Sequence, residues 1–188
     1  MALVLDGSNG ITFPSGNTQS NVGILTTGGT LSGGLSFAGA ANGQNAQYAP
    51  SKVLQVVSSY YNTSVSTTSA TPQASGLTAT ITPIFATSKI LIIATMGDLA
   101  TNASGVGVKT FLYKNGSQLT QTTNNALYAT AAGNFVIGNG PATNYLDSPA
   151  TTSAVTYAMY FATQVAGNTA TVNRDSTASS ITLMEIAQ

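Results

Sequence analysis

The chain has 188 residues, with five basic and five acidic side chains and neither histidine nor cysteine. Zero net charge on so few groups leaves no electrostatic footprint for nucleic acid or an anionic membrane. The missing residue types exclude disulfides, thiolate or imidazole metal sites, cysteine nucleophiles and a Ser-His-Asp triad.

The 43 % share of hydrophobic residues is enough for a core, yet only 5 % of residues are charged, against about 25 % in an average globular protein. The surface must therefore be built from Thr, Ser, Asn, Gln, Ala and Gly, which suits a protein covered by its neighbours.

The opening Met1-Ala2-Leu3-Val4-Leu5-Asp6 lacks the basic region and long apolar core of a secretory signal, so synthesis in a cytoplasm is expected. Residues 1–50 hold Gly28-Gly29, Gly33-Gly34 and the turn-forming run Asp6-Gly7-Ser8-Asn9-Gly10. Leu3, Leu5, Ile11, Phe13, Ile24, Leu31, Leu35 and Phe37 fall in short isolated groups, too brief for a helix or a full strand. Such a segment cannot bury its apolar groups alone. It reads as an extended N-terminal arm whose apolar residues anchor it on a larger assembly and on neighbouring subunits. Fully extended, it would reach up to about 165 Å.

From Ser51 the pattern is regular. Val53-Leu54-Gln55-Val56-Val57 begins a strand running towards Tyr60-Tyr61. Leu77 to Thr82 alternates threonine with apolar residues, the period of a half-buried strand. Lys89 to Thr95 is almost continuously apolar and reads as a strand buried on both sides, bending or ending at Met96-Gly97-Asp98-Leu99. The longest apolar stretch, Ile90 to Ala94, is far short of the ~20 residues that span a bilayer, so no membrane insertion is expected. Val108 to Tyr113 leads into Asn115-Gly116, a tight hairpin turn. In residues 121–150, Asn124-Asn125, Gly138-Asn139-Gly140-Pro141 and Ser148-Pro149 mark loops around short strands. Val155 to Phe161 alternates with Val155, Tyr157, Met159 and Phe161 on one face, and Ser180 to Ile186 is a last strand. The prediction is an all-β chain: a jelly-roll-like antiparallel β-sandwich over 51–188 behind an arm over 1–50.

Little chemistry is on offer. A carboxylate pair for glycoside hydrolysis would have to come from Asp6, Asp98, Asp147, Asp175 and Glu185. Asp175 follows Arg174 and reads as its ion-pair partner. Asp147 precedes Ser-Pro and reads as a turn former, while Glu185 sits on the last strand within reach of a lysine on a neighbouring strand or subunit. Asp6 to Gly10 resembles the start of a calcium loop but lacks the later bidentate glutamate. No catalytic residue, metal or cofactor is expected. Apolar positions on the first and last strands of the sandwich, Val53, Val56, Ile181, Leu183 and Ile186, are the expected contacts of a homotrimer, which would also cover strand edges. Tyr128, Asn139 and Tyr145 are the residues expected in exposed loops facing a receptor.

Five blocks carry a family resemblance: Gly10-Ile11-Thr12-Phe13-Pro14-Ser15-Gly16-Asn17-Thr18-Gln19, Ser51 to Val57, Ala79-Thr80-Ile81-Thr82-Pro83 with Thr87 to Leu91, Tyr145-Leu146-Asp147-Ser148-Pro149, and Ser180 to Ile186. In this order they resemble the tail-fibre-like virion structural proteins of marine and freshwater phages. The resemblance implies a virion-associated homotrimer with a terminal β-sandwich but no settled partner; other virion proteins, the major capsid protein or tail components, are the expected contacts. Ser15 stands where such proteins often have aspartate. A chain of this length has no room for a long shaft, which favours a short fibre or a capsid decoration (cement) protein. The alternative is a tail-fibre receptor-binding protein recognising a host surface glycan.

Overall fold

The computed structural model describes residues 51–130 and 140–188, together with the backbone of short strands at 4–6, 10–12, 18–19 and 135–137. The chain divides into two compact units, Met1–Gln44 and Asn45–Gln188. In the first, β1 (Val4–Asp6), β2 (Gly10–Thr12) and β3 (Thr18–Gln19) form an antiparallel sheet in that order, with Leu5 opposite Ile11. Two apolar groups judged too brief for a full strand thus lie on three-residue strands. The other anchor candidates, Leu3, Phe13, Ile24, Leu31, Leu35 and Phe37, lie outside the described residues.

The second unit is antiparallel throughout. Its first sheet has the order β12 (Ala142–Asp147), β7 (Lys89–Thr95), β15 (Ser179–Ile186), β4 (Val53–Tyr61). A smaller sheet has the order β11 (Phe135–Ile137), β8 (Leu99–Thr101), β14 (Ala170–Val172), β5 (Val65–Thr67). The small sheet repeats the large one strand for strand, because β4 runs on into β5, β7 into β8, β11 into β12 and β14 into β15. Together they make one wall of four long, interrupted strands. The opposite wall is β10 (Ser117–Tyr128), β9 (Gly107–Lys114), β13 (Val155–Thr163), β6 (Gln73–Ile81).

Numbered along the chain with each interrupted pair taken once, the first wall reads 6-3-8-1 and the second 5-4-7-2. Every connection crosses between walls except the 4–5 hairpin. That is the double-sheet, eight-strand topology of a jelly roll, so the fold predicted from sequence is the one observed.

Alternation of side chains builds the core. Leu77, Ile81, Tyr157, Met159 and Phe161 from one wall meet Ile90, Ile92, Ile181 and Leu183 from the other, all essentially inaccessible. Each such side chain contributes about 1.5–3 kcal/mol on burial. The 4–5 hairpin closes as the sequence predicts: Asn115 and Gly116 both have positive φ, 49° and 80°, and Lys114 pairs with Ser117. That left-handed pair matches the twist of the flanking strands.

The expected bend at residues 96–98 is also present, between β7 and β8. Its pin lies elsewhere in the chain. Asn173 is fully buried and left-handed (φ 55°, ψ 37°). Its amide donates to the Thr63 carbonyl at 3.1 Å, and its Oδ1 accepts from Ser179 Oγ at 2.5 Å. Ser179 Oγ in turn accepts from the Gly97 N–H at 2.7 Å. One side chain therefore ties three of the four interruptions together.

Two predictions need correction. Asn124-Asn125 does not mark a loop, since β10 continues through it to Tyr128, whereas β12 at 142–147 is a short strand of the kind expected among the loop signals of 121–150. Three register shifts between β10 and β9 let this edge strand carry loop-forming residues. Nor is β7 buried on both sides. Ile90, Ile92 and Ala94 point into the core, whereas Leu91 is half-buried and Ile93 is exposed.

Candidate assembly surface

The exception at β7 leads to the outer face of the sheet β12-β7-β15-β4. Cross-strand register places Leu146 opposite Leu91, Leu91 opposite Met184 and Met184 opposite Val56, so one apolar row crosses all four strands. Leu146 and Val56, at the two edges, are 50 % and 56 % exposed. The next row towards one end reads Asn144, Ile93, Thr182, Ser58, and beyond it lie Ala142, Thr95, Ser180 and Tyr60. On the other side Lys89, Ile186 and Val53 complete the face. Lys89 is its one charge among the described residues, and it stands in an end row. Five of the large apolar side chains most exposed in this unit lie here: Val53, Val56, Tyr60, Ile93 and Leu146. Scattered exposed apolar residues need no explanation, whereas a contiguous row makes this face the candidate assembly surface.

The expected trimer contacts divide on this geometry. Val53, Val56 and Ile186 lie on the outer face. Ile181 and Leu183 do not: both are completely buried and point into the core. Both phases of β15 are partly apolar, so its sequence cannot say which set faces inward. Pairing with β7 decides it, since Ile181 sits opposite Ala94 and Leu183 opposite Ile92. Leu91, Ile93, Met184 and Leu146 were missed. The available signal was β7 itself, apolar in both phases.

The expected receptor residues also separate. Tyr128 is half exposed, though it ends strand β10 rather than occupying a loop. Tyr145 lies within β12 rather than in a loop, and packs, partly buried, against the core. Asn139 lies outside the described residues.

The carboxylates have structural partners. Asp147 is not a turn former: it ends β12, buried, with Lys114 Nζ at 2.9 and 3.1 Å and the Tyr157 hydroxyl donating at 2.6 Å. Burial first, then the bond to Asp147, pushes the Tyr157 phenol well above its usual range, so it stays protonated. Glu185 does not reach a lysine. It is fully buried, accepting from Gln55 Nε2 at 2.5 Å and from the backbone N–H groups of Ile84 and Phe85 at 2.8 and 3.2 Å. Arg174 and Asp175 do pair, at 3.7 Å on the surface. Among the described residues, no three acidic side chains come together as a metal site would require, and no helix is long and apolar enough to cross a membrane.

No protein-family model matches the chain, and no curated protein matches it. Among solved structures, the chain is similar to the infectious bursal disease virus VP2 subviral particle, with a TM-score of 0.39 and 15 % identity over 71 % of this chain and 32 % of that one. It is also similar to the Gx strain of that virus (TM-score 0.37, 15 % identity, 72 % and 33 % covered) and to the Gt strain (0.29, 12 %, 71 % and 35 %). The chain spans about a third of the length of these proteins. Folds of this kind serve many functions, and what the chain does must be argued from its own residues.

Proposed function

We propose that this protein is a non-catalytic structural component of a bacteriophage particle that works by assembling with copies of itself. It is a short trimeric fibre or capsid decoration protein, made in the host cytoplasm and anchored to capsid or tail components by its N-terminal segment. The observation that carries this reading is the uncharged apolar row running edge to edge across a jelly-roll wall. An isolated soluble domain would leave this row in water. Further support comes from the five sequence blocks that resemble phage virion proteins and from a surface with almost no charge to resist association. The test is the native mass of the purified chain at micromolar concentration, combined with antibody labelling of intact particles. A trimer that is also labelled on the virion is expected; a stable monomer, or particles that carry none of it, would overturn the reading.

Tyr128 favours a second reading, in which the protein recognises a host surface glycan. A half-exposed tyrosine ring on the outer side of β10 offers a stacking face together with a hydrogen-bonding hydroxyl. On this reading Tyr128→Ala lowers phage adsorption without changing particle assembly, and unaltered adsorption would dismiss it.

A further inference from the structure

We infer that three copies of this chain turn the outer face of β12-β7-β15-β4 towards a common threefold axis, so that their sheets form the three walls of a filled prism. This rests on the self-assembly reading above and adds the face used and the way it is covered.

The distribution of apolar groups argues for it. In a simple face-to-face pair, the sheet edges become the rim of the interface, where polar residues are the rule. Here the edges carry the most exposed members of the apolar row, Leu146 on β12 and Val56 on β4. In a three-walled prism the β12 edge of one copy abuts the β4 edge of the next. Leu146 then meets Val56 of the neighbour in a buried corner. The same arrangement shields both open edges of this sheet, whose unpaired backbone groups would otherwise recruit other strands.

Size argues for three walls rather than four. Four strands at about 4.8 Å spacing make a wall roughly 19 Å wide. Three such walls place each sheet about 5.5 Å from the axis, close to the roughly 5 Å that side chains fill when sheets pack about 10 Å apart. Four walls would stand about 9.5 Å from the axis and leave an unfilled channel, which close-packed protein interiors do not tolerate. Leu91 and Met184, on the two middle strands, fill the centre. Charge agrees: Lys89 stands in an end row, so its ammonium comes at the mouth of the prism in water.

The absence of cysteine makes the test clean. The full chain carrying both Leu146→Cys and Val56→Cys, treated with a short bismaleimide, should give a covalent trimer on a denaturing gel. Either single variant should give no linked product. A melting temperature close to wild type shows that the fold is kept. A linked dimer as the end product would overturn the threefold arrangement. A native trimer that does not link would overturn the choice of face and leave trimeric assembly standing. A native monomer would overturn both this inference and the reading it rests on.

Discussion

Asp147 is held by three hydrogen bonds, two from Lys114 and one from Tyr157, and each donor depends on it in turn. Asp147→Ala would leave a half-buried ammonium and a buried hydroxyl without partners, and we expect a loss of about 3 kcal/mol in urea denaturation. Tyr157→Phe removes one bond and keeps the packing, for about 1 kcal/mol. Equal losses would contradict this division of roles. Glu185 makes a different prediction. Burial raises its carboxyl, but the bonds from Gln55 and the backbone N–H groups of Phe85 and Ile84 outweigh that and hold it below the usual value. The folded chain therefore binds this proton less tightly than the unfolded one. The resulting stability is complete above about pH 4.3, the unfolded value, and is lost as pH falls through the lower folded value. Glu185→Gln should cost roughly 1.5–3 kcal/mol at neutral pH, and the gap to wild type should narrow in acid. A gap that stays constant down to pH ~3 would refute the assignment.

Single residues decide how the strands stop and turn. Asn173 combines a left-handed backbone with two hydrogen bonds that connect separate interruptions of one wall. Asn173→Ala loses the bonds and keeps the strained backbone, so we expect a cost of about 3 kcal/mol. Asn173→Gly relieves the backbone and should be milder by about 1 kcal/mol, measured by thermal or urea unfolding. The reverse order would show that the strain is unimportant. Gly76 has φ 89°, and a Cβ there would run into the Tyr61 ring, which marks the place where β6 must leave regular pairing with β13. Along the surface, threonine and serine hydroxyls pair across strands, as at Thr80–Thr156 and Ser66–Thr171, each 2.8 Å. These pairs give the exposed faces hydrogen-bonded contacts where other domains use ion pairs.

For the whole molecule, the lack of charge predicts how the proposed assembly responds to its surroundings. A contact made by Leu146, Leu91, Met184 and Val56 is driven by removal of apolar surface from water. Raising the salt to about 1 M, which shortens the screening length to about 3 Å, should leave the native mass unchanged. Dissociation under those conditions would mean that ion pairs, not the apolar row, hold the copies together.

The positions of most strands, the Asn115-Gly116 hairpin and the break after β7 were legible in the sequence, because period-two alternation and turn chemistry act between near neighbours in the chain. What lay beyond it was the phase of a strand apolar on both sides. Nothing local distinguishes Ile181 and Leu183 from Met184 and Ile186; the pairing of β15 with β7 and β4 does. The same holds for the polar partners. Asp147 resembles a turn residue and Asn173 an ordinary loop residue until Tyr157, Lys114, Thr63 and Ser179 are brought beside them. The sequence by itself determined an all-β chain with few charged side chains and neither histidine nor cysteine. Tertiary structure alone decided which apolar residues fill the core and which form an exposed row, because each strand's inward face is set by its partners across the sheet.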